Sequence, residues 1–236
     1  MKSFAVFDID GTLIRWQLYH AVVDKMAKKQ LLGPDAQSIL HEARMIWKRR
    51  EHPNAFREYE LQLIKLYEDA LPHLSAVQFD EVVEEVAQEY KEQVYTFTRQ
   101  LVFDLKQKGY TLLAISGSHQ ELVAHIARQF GFDDWLGTDY ERIDGAFSGK
   151  KFVPSTDKKR ALESLIKKHG LALKGSVGVG DSKSDVAFLE MVERAIAFNP
   201  DQELYALAKK YGWEIVLERK NVIYNLKSDD GTYVLA

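Results

Sequence analysis

The stretch "FAVFDIDGTL" at residues 4–13 places four apolar residues directly before two aspartates, Asp8 and Asp10. A short apolar run of this kind is typical of a buried strand. Burying a lone ionised carboxylate is costly, so such a group usually neutralises or acquires a partner. The stretch therefore predicts a buried first strand that ends at an acidic pair, with a cation close to that pair.

The composition is that of a globular chain with a sizeable core and no special affinity for nucleic acid. Of 236 residues, 46% are hydrophobic, and 32 Lys plus Arg stand against 35 Asp plus Glu. The basic excess that tracks a nucleic-acid backbone is therefore absent. The chain has no cysteine, which excludes disulfides, thiolate nucleophiles and cysteine metal ligands.

The apolar run at the N-terminus meets Asp8 too early to form the core of a signal peptide. No apolar stretch approaches the roughly 20 residues that span a bilayer, and the absence of cysteine fits a reducing compartment. We therefore expect a cytoplasmic protein that has no membrane partner, no nucleic-acid partner and no obligate protein partner.

Short β-prone runs alternate with helical patterns from residue 111 onward. The helical patterns are "SHQELVAHIARQFG" (118–131) and "DKKRALESLIKKHG" (157–170), which carry apolar residues at helical spacing. The β-prone runs lie at 4–7, 111–116, 135–138, 176–180, 194–198 and 214–217. This alternation predicts the α/β class, with a doubly wound parallel sheet covered by helices on both faces.

Residues 14–100 interrupt the alternation, because they contain almost no strand signal. They hold amphipathic helical patterns that continue a little past residue 100, near 16–31, 35–50, 54–70 and 75–107. We therefore predict an all-helical cap domain at 14–100, inserted into a catalytic core made of residues 1–13 and 101–236. Two hairpins are predicted around Asp144-Gly145 and around Asp230-Gly231, within residues 221–236.

Polar groups follow three of the predicted strands: the Asp8–Asp10 pair, Ser116–Ser118, and residues 181–185. Ligands of open α/β sheets bind outside the carboxyl ends of the strands, so these groups are candidates for one site. Each group also has a structural interpretation. Ser118 with Glu121, and Ser182 with Asp185, fit helix-capping boxes, and the acidic pair fits a turn.

Together, "DIDGT" at 8–12, Ser-Gly at 116–117, a lysine near 158 and "GDSKSD" at 180–185 resemble the four motifs of the haloacid dehalogenase superfamily. The resemblance covers nearly the whole chain. It assigns the lysine to Lys158, which opens the helix before the fourth motif, with Lys159 as the alternative. On its own, Lys158 would be interpreted as a solvated helix residue. The helical insert resembles the phosphoserine-phosphatase-like subgroup of the type I branch, subfamily IB.

The resemblance implies a hydrolase that removes phosphate from a small phosphorylated metabolite, and the chemistry of the residues agrees. A carboxylate is already ionised at neutral pH, so Asp8 can attack phosphorus without a base and form an aspartyl-phosphate. Asp10 can protonate the leaving alkoxide and then accept a proton from water. We therefore predict Asp8 as the nucleophile and Asp10 as the general acid and base.

Charge balance calls for a divalent cation, because four carboxylates against one lysine would repel an anionic ester. A Mg²⁺ ion cancels two of these charges and bridges to phosphate. By resemblance its ligands are Asp8, Asp181 and the backbone carbonyl of Asp10, with Asp185 supporting the site mainly through contacts to these ligands. The cation that the first strand predicts is thus magnesium.

The resemblance also assigns the phosphate ligands, which are Ser116, the amide of Gly117, and Lys158. It does not favour phosphoserine as the substrate. Phosphoserine phosphatases typically carry a glutamate where this chain has Gln17, and an arginine is expected near residue 63, where the sequence reads "LQLIKL". The identity of the substrate stays open.

Other functions and residues stay open at this point. A phosphotransferase or phosphomutase would use the same aspartyl intermediate, a receiver-like signalling module would be shorter and uncapped, and a purely binding relative would lack catalytic residues. His119 fits either the mouth of the site or a solvated first helical turn, and Lys183 fits either a second anion site or solvent. Aromatic residues at helical spacing suggest an aromatic-lined cap or an ordinary core: Trp16, Tyr19, Trp47 and Phe56.

Overall fold

A computed structural model describes residues 2–229 and 232–235 of the chain. Strands and helices alternate along much of it, but a run of helices lies between the first two strands, and strands follow one another directly at 134–152 and at 214–229. The bounds are β1 Phe4–Phe7, α1 Leu18–Lys28, α2 Ala36–Arg49, α3 Ala55–Ala70, α4 Ala76–Tyr90, α5 Thr96–Gln107, β2 Thr111–His119, α6 Gln120–Gln129, β3 Asp134–Ile143, β4 Ala146–Phe152, α7 Lys158–His169, β5 Val177–Gly180, α8 Val186–Leu189, β6 Arg194–Phe198, α9 Gln202–Tyr211, β7 Glu214–Arg219, β8 Val222–Asp229 and β9 Thr232–Leu235.

The strands form one sheet in the order β4-β3-β2-β1-β5-β6-β7-β8-β9. Strands β3, β2, β1, β5, β6 and β7 are parallel, and β4, β8 and β9 are antiparallel to their neighbours. The chain first builds outward from β1 to β3 and then returns to place β5 on the other side of β1. The predicted α/β, doubly wound fold is confirmed.

The two faces of β1 belong to two separate hydrophobic cores. Ala5 and Phe7 pack into a core that contains the helices between β1 and β2 and also α6. Phe4 and Val6 pack into a second core with α7 and α9. A strand buried on both faces needs consecutive apolar residues, which is why its sequence does not alternate with polar ones.

Between β1 and β2 the described residues form five α-helices, whereas four helical stretches are predicted. The predicted stretch 75–107 consists of two helices, α4 and α5, because the chain is not helical between them. There Val94 forms an antiparallel bridge with Ile14, so the segment returns to the beginning of the insert. The division of the chain into a cap at 14–100 and a core stays a prediction.

The hairpin predicted around Asp144-Gly145 is confirmed, since β3 and β4 pair on either side of it. Strands β8 and β9 are also antiparallel partners, but the predicted turn at Asp230 and Gly231 lies outside the described residues. Among the helices that the structure describes, none combines the length and the apolar character needed to cross a membrane.

Candidate active site

The polar residues at the strand ends meet where the strand order reverses, on either side of β1. In the sheet β1 lies between β2 and β5, in parallel register with both. Asp8 follows β1, Ser116 and Gly117 lie in the last part of β2, and Asp181 follows β5. The carboxyl ends of adjacent parallel strands share one edge, so this arrangement brings the three motifs together at the topological switch point.

Three carboxylates and one ammonium form a buried cluster at this edge. Asp8, Asp181 and Asp185 each offer a carboxylate oxygen within 4.8 Å of the others. Lys158 Nζ donates to Asp8 Oδ1 at 2.6 Å and to Asp185 Oδ1 at 2.5 Å. Only 2% of Lys158 is exposed, so it is not the solvated helix residue that its sequence position alone would suggest.

The carboxylates of the cluster outnumber its one ammonium group, so the cluster has too little positive charge. Burial raises the pKa of Asp8 above its usual range, Lys158 opposes that rise, and Asp185 and Asp10 add to it. Burial also raises the pKa of Asp181, as do the charges of Asp8 and Asp185. For Lys158, burial opposes the charge, but the two carboxylates outweigh it and raise the pKa of the ammonium. One lysine therefore does not neutralise the site.

The donor set fits a divalent cation of the magnesium type. Among the described residues, the Asp181 side chain accepts no hydrogen bond and forms no ion pair, although it is partly buried and faces Asp8 and Asp185. Carboxylate oxygens are the ligands that Mg²⁺ prefers, and a bound cation would stabilise the ionised forms of these acids. Asp181 is therefore the residue with the most capacity left for a metal ion.

Two glycines allow these side chains to approach the backbone. Gly11 has φ +79°, and a Cβ at this position would collide with the Asp181 carboxylate. A Cβ on Gly180 would collide with the side chain of Asp185. The glycines in "DIDGT" and "GDSKSD" thus provide space for the neighbouring acids.

Asp185 holds the loop that carries Asp181. Its Oδ2 accepts the backbone N–H groups of Asp181 and Ser182, both at 3.0 Å. The predicted capping box of Ser182 and Asp185 is present at the start of the 3-10 turn at 183–185. Asp185 therefore both caps this turn and contacts Lys158, so its structural interpretation is confirmed, and its predicted support of a metal site stays a prediction.

Asp10 is held from two sides. Its Oδ1 accepts the backbone N–H of Leu18, the first residue of α1, at 2.6 Å, and the hydroxyl of Ser118 at 3.0 Å. Its Oδ2 accepts the hydroxyl of Ser116 at 2.5 Å. Helix N-termini favour negative charge, so α1 starts against this carboxylate. In this structure Ser116 contacts Asp10, and its predicted contact with phosphate stays a prediction.

The predicted capping role of Ser118 is wrong. Helix α6 has His119 at its N-cap, with no side-chain cap, because β2 continues to that residue. The Ser118 hydroxyl instead donates to Asp10 and accepts the backbone N–H of Tyr19 at 2.9 Å. Ser118 thus connects the end of β2 to α1, a role that its sequence pattern did not indicate.

Neither of the two interpretations left open for His119 is correct, since its exposed fraction is 0% and it does not line the cavity beside the cluster. Its ring stacks on Tyr19 with centroids 4.8 Å apart and planes at 2°, and lies edge-on to Tyr67 and Phe79. Neither ring nitrogen has a hydrogen-bond partner among the described residues. Burial lowers the pKa of His119 to about 3, so the imidazole is neutral at physiological pH.

A cavity of about 520 Å³ opens above the acidic cluster. At its catalytic end lie Asp8, Asp10, Gly117, Ser118, Lys158 and Asp181, and at its cap end lie Tyr19, His20, Phe56, Glu60, Ile64 and Glu68. Its volume is in the range of small-molecule sites. Two of the four predicted aromatic residues, Tyr19 and Phe56, line the cavity, whereas Trp16 and Trp47 pack against the hydrophobic core.

Two further residues lie near this edge, Ser155 and Lys183, and only Lys183 was singled out by the sequence. Ser155 lines the cavity, and its Oγ lies 3.1 Å from the position of a Cβ on Gly117. No sequence motif indicated this serine. Lys183 forms an exposed ion pair with Glu203 at 2.5 Å, as expected for a solvated side chain.

Comparisons with known proteins give the family. The family model described as haloacid dehalogenase-like hydrolase matches residues 5–190. A Mycobacterium tuberculosis protein named phosphoserine phosphatase is 31% identical over 224 residues, which cover 91% of this chain and 70% of that protein. A Neisseria meningitidis protein named histidinol-phosphatase is 28% identical over 224 residues, which cover 92% of this chain and 99% of that protein.

A solved structure supports the same fold. A Bordetella pertussis protein described as having unknown function superposes with a TM-score of 0.73 at 24% identity, covering 91% of this chain and 98% of that chain. The predicted superfamily and the predicted enzyme class, a phosphatase of that superfamily, are confirmed. The chain belongs to the haloacid dehalogenase-like hydrolase family.

Proposed function

We propose that the protein is a Mg²⁺-dependent phosphomonoesterase that hydrolyses a small organic phosphate through a phosphoryl group carried on Asp8. The main support is the buried cluster of Asp8, Asp181, Asp185 and Lys158 at one end of a cavity of about 520 Å³. This cluster combines an ionisable nucleophile, a fixed cation and unpaired carboxylate capacity for a metal. These are the requirements for attack on an anionic ester.

Asp8 attacks the phosphorus atom of the ester, so a carboxylate oxygen–phosphorus bond forms while the bond from phosphorus to the alcohol oxygen breaks. Lys158 engages Asp8 Oδ1, and among the described residues Oδ2 has no hydrogen-bond partner, which favours Oδ2 as the attacking atom. Asp10 donates a proton to the departing alkoxide. Water then attacks phosphorus, Asp10 accepts its proton, and inorganic phosphate leaves with Asp8 restored.

The cation would be held by Asp8 and Asp181, with the backbone carbonyl of Asp10 and with Asp185 in support. When bound, Mg²⁺ supplies positive charge that draws the phosphate to the acidic edge and stabilises charge on its oxygens. Ser116, the Gly117 amide and Lys158 would hold the other phosphate oxygens. The hydrogen bond that Ser116 donates to Asp10 must then exchange for one to phosphate during the reaction.

The substrate is proposed only as a small phosphorylated metabolite that enters between a helical cap at 14–100 and the core. The two named relatives differ, since one is called a phosphoserine phosphatase and the other a histidinol-phosphatase. Gln17 lines the cavity, where the phosphoserine phosphatases would present a glutamate. This neutral residue again weighs against phosphoserine.

The test is a screen of phosphorylated metabolites and one aryl phosphate, with inorganic phosphate measured in Mg²⁺ and in excess chelator. The proposal predicts phosphate release that chelation abolishes and added Mg²⁺ restores, and Asp8→Asn should lose it while retaining the wild-type circular dichroism spectrum. A new phosphate ester in place of inorganic phosphate would indicate a phosphotransferase. Full activity in chelator, or in Asp8→Asn, would contradict the proposal.

A further inference from the structure

One face of helix α3 forms much of the cap end of the cavity. Phe56, Glu60, Ile64 and Glu68 recur at intervals of four residues and all line the cavity. Residues four apart lie on the same face of a helix, so apolar and acidic side chains alternate along this wall. The wall therefore offers carboxylates and apolar surface to whatever the phosphate group is attached to.

Among the described residues that line the cavity, both lysines are already paired with carboxylates. No arginine lines it among the described residues. Lys158 is held between Asp8 and Asp185, and Lys151 is paired with Glu68 across the cavity. A substrate with a carboxylate would therefore have to displace one of these ion pairs.

Glu60 differs from Glu68 because it has no strong partner. Its nearest basic atom is His20 Nε2, at 3.6 Å from Oε1, which is beyond hydrogen-bond distance. Its side chain is 38% exposed, so the carboxylate is accessible from the cavity. Phe56 lies one helical turn before it, and an aromatic face next to a carboxylate favours an organic cation.

We propose that the substrate is a phosphate monoester of an amino alcohol that lacks a carboxylate, and that Glu60 binds its ammonium group. The inference rests on the proposed phosphatase activity and adds the substrate class to it. Glu60 is then a specificity-determining residue, which contacts the substrate away from the phosphorus. Glu60 attracts a substrate cation, whereas Lys151 is paired with Glu68 and is therefore not available to a substrate anion without breaking that pair.

The test compares ω-aminoalkyl phosphates of increasing chain length with alkyl phosphates of the same length, by kcat/KM for phosphate release. The wild type should prefer the amino ester by about two- to fivefold at the best length, as expected for an ion pair with a carboxylate that is more than a third exposed. Glu60→Gln should remove most of this preference, mainly through KM. Phosphoserine should be a poorer substrate than the best amino ester.

Glu58→Gln is the matched control. It makes the same chemical change on the same helix, and Glu58 is also next to a histidine, His52, at 3.4 Å, but it does not line the cavity. In this variant, the ratio of kcat/KM for the amino ester to kcat/KM for the alkyl ester should equal the wild-type ratio. A wild-type ratio near one at every length, or an unchanged ratio in Glu60→Gln, would overturn the inference. Failure to release phosphate from any ester, including an aryl phosphate, would instead overturn the proposed function.

Discussion

The two ends of the cavity are built in different ways. The catalytic end consists of strand ends, and its charged groups are buried and fixed by contacts such as Lys158 Nζ to Asp8 and to Asp185. The cap end consists of side chains on a helix face, and Glu60 and Glu68 are each more than a third exposed. Under the proposed function, the fixed side chains at the strand ends carry out the reaction, and the helix face selects the substrate and can vary without disturbing them.

The largest effect should come from changing the catalytic end. Asp10→Asn removes the proton donor, and general acid–base catalysis contributes about 10²–10⁴-fold. The loss in kcat should be of this size for an alkyl phosphate, whose alkoxide must be protonated. It should be much smaller for phosphoryl transfer from p-nitrophenyl phosphate, whose leaving group departs without a proton.

The control for this comparison is burst kinetics with the aryl ester, which separates phosphoryl transfer from hydrolysis of the intermediate. Equal losses for both esters in the transfer step would show that Asp10 does not protonate the leaving group. Asp10 would then not be a proton donor, and the proposed catalytic role of this end of the cavity would lose one of its residues.

The catalytic end could be predicted from sequence because its residues directly follow strands. Asp8 and Asp10 come straight after the apolar run of β1, and Asp181 follows β5, so parallel pairing alone brings them together. Only the family resemblance identifies Lys158 in the sequence, and the structure supplies the contacts with Asp8 and Asp185 that explain its burial.

The cap end could not be predicted, because its residues carry no local signal. Glu60 and Glu68 lie on an amphipathic helix like many others, and only tertiary packing turns that face toward the cavity. Similarly, β2 extends to His119, and helices α1, α3 and α4 cover it with Tyr19, Tyr67 and Phe79. His119 is therefore buried although histidine is a polar residue type.

The next effect concerns the metal. Wild-type protein should be stabilised on adding Mg²⁺, by about 2.7 kcal/mol at a concentration one hundred times the dissociation constant. Asp181→Asn should abolish most of this gain, and it should raise the melting temperature of the metal-free protein because it removes an unpaired carboxylate. Differential scanning calorimetry in chelator and in Mg²⁺ measures both changes.

Asp104→Asn is a suitable control, since Asp104 is exposed on α5, its carboxylate accepts a hydrogen bond only from Gln100 among the described residues, and it does not line the cavity. It should keep the Mg²⁺ response. If the Mg²⁺ response of Asp181→Asn equals that of the wild type, Asp181 is not a ligand of the metal.

A smaller effect involves His119, which is buried against Tyr19, Tyr67 and Phe79 and does not line the cavity. Its pKa is lowered to about 3 in the folded protein, against about 6.5 when unfolded. The unfolded state therefore binds the proton more readily, and the stability that this group contributes above pH 6.5 is lost as pH falls toward 3. By linkage the loss is about 2 kcal/mol between pH 7 and pH 5.

His119→Phe should remove this part of the pH dependence, as measured by urea unfolding at the two pH values. It should also leave stability at pH 7 equal or higher, because both ring nitrogens lack partners. His41→Gln, at an exposed position, should follow the wild-type pH dependence. The same pH dependence in His119→Phe and wild type would contradict the buried, neutral imidazole.

The smallest effect should come from Glu68→Gln, which frees Lys151. The ion pair is partly exposed, and such pairs contribute about 0.2–1 kcal/mol, so the effect should be up to about fivefold. The change should favour esters that carry a carboxylate: kcat/KM for phosphoserine should rise relative to that of a matched amino ester. An unchanged or lower ratio would show that the freed Lys151 does not attract a substrate carboxylate.

The central claim is that Asp8 carries the phosphoryl group, and it can be tested directly. The protein is mixed with substrate and Mg²⁺, quenched in acid within the first turnover, digested and mapped by mass spectrometry. We predict one added phosphoryl group on the peptide that contains Asp8, and none when chelator is present. A phosphoryl group on another residue, or phosphate release with no covalent adduct at any quench time, would contradict it.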